Sequence, residues 1–179
     1  FLAALAEGGF QVGELAKHYF PGGKTIETLD VAHAVRETQR LLELENVTIF
    51  EAAVQFENCL VRVDVLEKSG SSIKIHEVKA KSFNNLEGKS FTKKNGLPNS
   101  EWKKYLYDVA FQKWVCMQAL RPNIITAHLM LADKSKKTAT AGLNQKFRIQ
   151  EINGRKSVKL EGTLSQSDLN PQILTSVNV

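Results

Sequence analysis

Long apolar runs are missing from this sequence. No stretch approaches the roughly 18 uninterrupted apolar residues of a membrane span. The apolar opening, Phe1 to Phe10, is interrupted by Glu7 and has no basic residues before it, which argues against a signal peptide. Cysteine is scarce as well. Cys59 and Cys116 sit singly in apolar patterns with no CxxC pair, so neither a disulfide framework nor a cysteine zinc site is supported. Buried free thiols in a reducing cytoplasm fit them best. No Walker or GxGxxG phosphate loop is present, and Gly22-Gly23-Lys24-Thr25 is too short a match. No internal repeat is visible. His33, His76 and His128 are scattered, which disfavours a histidine nuclease or zinc hydrolase. The expectation is a cytoplasmic protein without a membrane partner.

What is present is enough for one real core. The chain has 179 residues, 42% of them hydrophobic, which suits a single medium-sized domain spanning 1–179. It begins at Phe1 and ends on Ser176-Val177-Asn178-Val179, and is expected to be a fragment of a longer chain. The formal net charge is +5, compatible with a polyanionic partner. Lysines crowd the middle third: Lys68, Lys74, Lys79, Lys81, Lys89, Lys93, Lys94, Lys103 and Lys104. Such a cluster can neutralise phosphates, although a solvated lysine-rich loop is the plainer alternative.

Periodicity divides the chain into elements. Leu2, Leu5, Val12, Leu15 and Tyr19 recur at helical spacing, with a break expected at Gly8-Gly9 and a stop at Pro21-Gly22-Gly23. Thr28 or Asp30 is expected to cap a second helix reaching about Leu44, with Val31, Val35, Leu41 and Leu42 on its apolar face. From Val47 the period shortens. Thr48 to Phe56, Leu60 to Lys68 and Ile73 to Lys81 read as a three-strand meander turning at Glu57-Asn58 and Ser69-Gly70-Ser71-Ser72. Ser82 to Ser100 reads as a long polar loop. Glu101 to Leu120 reads as a helix ended by Pro122, and Ile124 to Asp133 as a buried strand. After a polar turn over Lys134 to Ala141, Lys146 to Ile152 and Ser157 to Glu161 are plausible strands before a weak polar end. This order indicates an α/β fold with helices on a mixed sheet.

The chemistry concentrates in the meander. Strand side chains alternate, so in Val61-Arg62-Val63-Asp64-Val65 the valines share one face and Arg62 and Asp64 the other. In Ile75-His76-Glu77-Val78-Lys79, Glu77 and Lys79 point the same way, with His76 and Val78 opposite. A short turn makes the strands antiparallel neighbours, so Asp64 and Glu77 can meet across the ladder. Converging carboxylates repel unless a cation joins them. A hard ion such as Mg²⁺ or Mn²⁺ suits such oxygens, and the Val78 carbonyl offers another. Lys79 is then placed to hold the attacking water. A Glu-X-Lys tripeptide alone is weak, but an aspartate 13 residues earlier, on the preceding strand, adds context.

Arg62-Val63-Asp64 followed by Glu77-Val78-Lys79 across a hairpin resembles the PD-(D/E)XK nuclease core, specifically its RecB-like exonuclease branch. That branch includes the RecB and AddB nuclease domains and RecB-type CRISPR-associated exonucleases. The opening Gly9-Phe10-Gln11-Val12-Gly13-Glu14-Leu15-Ala16 and Phe20-Pro21-Gly22-Gly23 is similar to an uncharacterised bacterial group within it, and the resemblance spans roughly Gly9 to Asp133. It implies a restriction-endonuclease-like core, a mixed central β-sheet flanked by helices, and a following helix that carries a glutamine with a tyrosine four residues later. Gln112 supplies the glutamine; position 116 is a cysteine, so the tyrosine is missing. Tyr105 and Asp108 lie on about the same helical face as Gln112 and are possible substitutes, while an exposed helical polar residue is the alternative for Gln112 itself. The resemblance also implies an acidic or histidine ligand from the first helix, where Glu14 and His18 are spaced i,i+4, against an ordinary solvated face. Glu51 on the first strand is a further candidate. The iron–sulfur cluster of some members is not supported by two distant cysteines.

The expectation is thus an Mg²⁺- or Mn²⁺-dependent, exonuclease-like enzyme acting on DNA more readily than RNA. Asp64, Glu77, Lys79 and Gln112 are its catalytic set, and Asp64, Glu77 and Val78 its metal ligands. Lys81, Lys89, Lys93, Lys94, Lys103 and Lys104 are its phosphate contacts. Helicase, CRISPR or repair partner domains would lie outside these residues. The rival is a nucleic-acid-binding module that keeps the fold without activity.

Overall fold

Alternating apolar residues and well-placed breakers lay down most of the elements. The computed structural model describes residues 2–84, 91–152, 155–165 and 167–179. In chain order the elements are α1 (Leu2–Lys17), β1 (Lys24–Thr25), α2 (Val31–Leu41), β2 (Asn46–Phe56), β3 (Cys59–Ser69), β4 (Ser72–Phe83), α3 (Lys103–Leu120), β5 (Ile124–Asp133), β6 (Phe147–Ile152), β7 (Arg155–Leu160) and β8 (Leu174–Asn178). Six strands form one sheet in the order β1-β2-β3-β4-β5-β8, and β6 and β7 form a separate antiparallel ribbon. The sheet is mixed: β1 runs parallel to β2, whereas β2, β3 and β4 are antiparallel. The fold class is therefore α/β, a mixed six-stranded sheet flanked by helices.

Several boundaries differ from expectation. Helix α1 runs through Gly8-Gly9 without a break. A helical glycine costs about 1 kcal/mol, and no close approach requires one here: a Cβ on Gly8 would meet that of Ala80 in β4 at an ordinary 4.0 Å, and one on Gly9 would meet nothing within 4 Å. Two strands hidden in the sequence are β1, only two residues long, and β8, in the tail that reads as weakly polar. Helix α2 ends at Leu41 rather than Leu44, and its buried residues are Ala34 and Thr38, not the expected larger apolar set; Val31 is 45% exposed. Small residues let the helix approach β2 closely.

The chain divides into two compact units. One holds Gly22–Glu77, the residues leading through α3 to Leu129, and Ser176–Val179. Its sheet interior is lined by Ile49, Phe50, Ala52, Val54, Val63, Val65, Leu66 and Ile75, all buried. Asp30 caps α2, accepting a 2.7 Å hydrogen bond from the His33 amide. The other unit holds α1, β4 from Val78 onward and Met130–Thr175. Its core joins Leu15, Ala16, Met130, Leu143, Phe147, Leu169 and Leu174. The Gln11 side-chain amide donates to the Phe147 carbonyl at 2.7 Å, tying α1 to β6.

One contact of α2 is polar and buried: the Ala53 amide donates to Thr38 Oγ1 at 3.0 Å. Thr38→Val keeps the side chain's shape but removes the acceptor, and stranding a buried amide costs about 1–3 kcal/mol. Urea denaturation is expected to show a loss of that size for Thr38→Val and a much smaller one for Thr38→Ser.

Candidate active site

Register sets Asp64 and Glu77 just beyond the paired stretch of two neighbouring strands. Gly70, at a φ of 55°, turns β3 into β4, and the pairs run from Ser69 with Ser72 to Val65 with His76. One step further along both strands stand Asp64 and Glu77. On the other side of β3, Phe50 pairs with Val65 and Ala52 with Val63, so Glu51 lies opposite Asp64. Glu51 has a φ of 57°, a left-handed conformation that costs a residue with a Cβ about 1–3 kcal/mol. Its carboxylate is 3.9 Å from the Arg62 Nε, and Arg62 also donates to the carbonyls of Thr28 and Ile26. Glu51, Asp64 and Glu77 thus occupy successive strands at one level of the sheet.

Glu77 is 6% exposed, and a buried carboxylate needs compensation. Part of it comes from Gln112 on α3, also 6% exposed, whose Nε2 donates to Glu77 Oε2 at 2.5 Å. This places Gln112 in the interior, not on a solvated face. Its other polar atom, Oε1, is buried and accepts no hydrogen bond among the described residues. Asp64 and Lys79 are half-buried. Lys79 stands two residues beyond Glu77 on β4, and Val78 between them packs against the Leu15–Met130 core.

The donors near Glu77 are oxygens. Cys116, one turn beyond Gln112, is fully buried, and burial pushes its thiol up to about 12, so it remains a neutral thiol. Among the described residues, no group of three or more His, Cys, Asp or Glu side chains is arranged to hold a metal. Two carboxylates and an amide oxygen fit an oxygen-seeking dication better than zinc.

The remaining candidates are distributed. Glu14 pairs with Lys17 at 2.9 Å, and His18 meets the Phe147 ring edge-on, with its buried Nε2 making no hydrogen bond among the described residues. Both belong to the unit built on α1. Tyr105 is half-buried beneath the Lys104 ammonium, 4.8 Å from its ring, and Asp108 is exposed. Lys81 is half-buried, whereas Lys93, Lys94, Lys103 and Lys104 are exposed; Lys89 lies outside the described residues.

The described parts of the segment expected to be a long loop carry regular structure at both ends. β4 extends to Phe83, and Thr92 bridges to Pro98 around a turn at Gly96. The Lys93 amide donates to the Leu97 carbonyl at 2.7 Å, which puts Lys93 and Lys94 near the tip. Phe91 meets Trp102 edge-on at 4.9 Å, and Trp102 is 3% exposed. No periodic pattern in the sequence marks Trp102 as this anchor. The burial of Gln112 did have a signal, since Val109, Gln112, Val115 and Cys116 share a helical stripe.

On the neighbouring strand positions a structural network surrounds His76, which is buried and placed by Glu67 Oε1 at 2.7 Å and Ser176 Oγ at 2.8 Å. Its ring lies 5.1 Å from that of His128. Burial, reinforced by His76 and Lys74, lowers the His128 pKa from 6.5 to about 4. The Glu67 carboxyl is held below its ordinary value chiefly by its hydrogen bond from His76.

The two effects have the same sign. The unfolded chain takes up a proton on His128 near pH 6.5 that the folded protein refuses until about pH 4, so stability falls as pH drops through that window. Glu67 contributes stability above the unfolded carboxylate range, lost as pH falls through its lowered folded value. The urea midpoint is expected to decline between pH 6.5 and 4, with a shallower decline in His128→Phe; identical profiles would contradict the assignment.

No protein-family model, no curated protein and no solved structure matches this chain significantly.

Proposed function

We propose that this chain is a metal-dependent nuclease of the PD-(D/E)XK type that hydrolyses phosphodiester bonds of DNA in an exonuclease-like manner. The observation that carries the reading is the buried Glu77–Gln112 pair, with Glu77 and Asp64 each one residue beyond the Val65–His76 pair on neighbouring strands and the Gln112 Oε1 unpartnered among the described residues. The motif Asp64, Glu77 and Lys79 supplies the same reading from the sequence.

In this reading Asp64 and Glu77 hold Mg²⁺ or Mn²⁺, with the Val78 carbonyl as a further ligand. When bound, the ion polarises the scissile phosphate and acidifies the attacking water. Gln112 orients Glu77 through its amide and presents its oxygen to a water or to the substrate. Lys79 positions the water and offsets negative charge that builds on the phosphate. Lys93 and Lys94, at the tip of their turn, and Lys81, Lys103 and Lys104 contact phosphates of the strand being cut. Helicase, CRISPR or repair partners would be joined through other parts of a longer protein.

A second reading is a catalytically inactive nucleic-acid-binding module of the same fold. It is favoured by Cys116, a buried thiol where the resemblance implies a tyrosine.

Cleavage of labelled single- and double-stranded DNA with Mg²⁺, Mn²⁺ or EDTA separates the two. The expected outcome is metal-dependent cleavage reduced at least about a hundredfold in Asp64→Ala and in Lys79→Ala, with both variants folded. Binding without cleavage under every condition would favour the inactive module. Full activity in Lys79→Ala would remove it from the site. Neutralising Lys93 and Lys94 together is expected to weaken DNA binding and reduce the slope of log K against log salt by about 1–2. An unchanged slope would place the turn outside the footprint.

A further inference from the structure

Helix α3 is apolar on two sides. Val109, Gln112, Val115 and Cys116 face the interior, yet Tyr107, Phe111 and Trp114 are 57%, 45% and 40% exposed. At 100° per residue, positions 107, 111 and 114 fall within about 60° of one another, in a stripe up the outer surface. The Phe111 and Trp114 rings are nearly parallel, tilted by 22° with centroids 6.2 Å apart. Trp114 is braced from beneath by the edge of Phe56, 5.8 Å away. Solvated aromatic rings in a row normally have a covering partner.

The charges beside the stripe indicate which partner. Lys103 and Lys104 sit at its N-terminal end, with the Lys103 ammonium 5.5 Å from the Tyr107 ring, and Arg121 is the cap residue that follows the helix at its C-terminal end. Lys103, Lys104 and Arg121 are all exposed. The acidic Asp108 is about 100° around the helix from Tyr107, off the stripe. A flat aromatic row bracketed by cations suits unpaired bases, which stack on rings while their phosphates meet the cations. Duplex DNA hides its base faces and cannot use such a row.

We infer that the outer face of α3 is a stacking platform for single-stranded nucleic acid, with Tyr107, Phe111 and Trp114 as base supports and Lys103, Lys104 and Arg121 as phosphate contacts. This rests on the proposed function only in making the bound strand that enzyme's substrate; the platform binds whether or not cleavage occurs. The rise from Tyr107 to Trp114 is about 10 Å, room for roughly two or three stacked bases.

The test is binding of a fluorescein-labelled oligothymidylate in EDTA, where no metal-dependent cutting takes place, read by anisotropy, alongside quenching of tryptophan emission. The chain has 2 tryptophans, and Trp102 is buried, so quenching reports Trp114. Expected are preference for single strand over a duplex of equal length, quenching on titration, and a loss of roughly 5- to 150-fold in affinity for Trp114→Ala or Phe111→Ala. Trp114→Phe, which retains a ring, is expected to recover most of that loss, a rescue that general damage to the fold would not give. The inference is overturned if both alanine variants bind like wild type, or if duplex and single strand bind equally. It is also overturned if wild type self-associates through this face, Trp114→Ala is monomeric and the oligonucleotide quenches nothing. Binding that survives alongside absent cleavage would sink the nuclease reading alone; cleavage with unaffected alanine variants would sink the platform alone.

Discussion

A carboxylate held out of water constrains everything around it. Glu77 sits at 6% exposure in the middle of β4, where an isolated charge would be strongly disfavoured. The hairpin register puts Asp64 at the corresponding position of the neighbouring strand β3, which increases the electrostatic demand, and α3 must lie close enough for Gln112 to donate to it. The position of α3 is thus coupled to the chemistry of one side chain. So is the composition of its buried stripe, where a glutamine interrupts an otherwise apolar row. A buried carboxylate–amide pair is not what a sheet needs to hold together, since well-packed apolar residues would serve the fold at least as well.

The same level of the sheet carries a second cost, the left-handed backbone at Glu51. Its neighbours keep regular register on both sides, so the strand does not slip; the strain is local. Arg62 lies 3.9 Å from the Glu51 carboxylate while hydrogen-bonding the carbonyls after β1. Backbone strain and a buried carboxylate at adjacent strand positions are features that concentrate at sites where a protein acts. The histidine network one residue away is different in kind. Glu67, His76 and Ser176 satisfy one another, and His128 is kept neutral by burial, so this group stabilises the sheet in neutral solution.

Helix α3 connects the interior to the surface. Its inner stripe carries Gln112 and its outer stripe carries the exposed aromatic row, with lysines at the start and an arginine at the end. A helix apolar on two sides is seldom left half-bare. The inner face explains why the helix stays in place; the outer one is the face proposed as a stacking platform.

The strands of the meander, the 2.0 alternation that sets Asp64 apart from its flanking valines, and the span of β5 were all legible in the sequence, because strand parity and turn residues act locally. The long apolar-polar rhythm needs no distant contact to be read. Other features depended on residues far apart in the chain. The two-residue β1 and the tail strand β8 have too little local pattern and exist because a sheet edge accepts them. α1 passes through two glycines because packing outweighs their local cost. Gln112 is buried because α3 faces Glu77, 35 residues earlier, and the left-handed Glu51 follows from register on both sides. Sequence by itself determined which residues carry charge and on which strands they fall. Tertiary structure alone decided which of them lose water, since desolvation depends on what packs overhead and no local pattern encodes that.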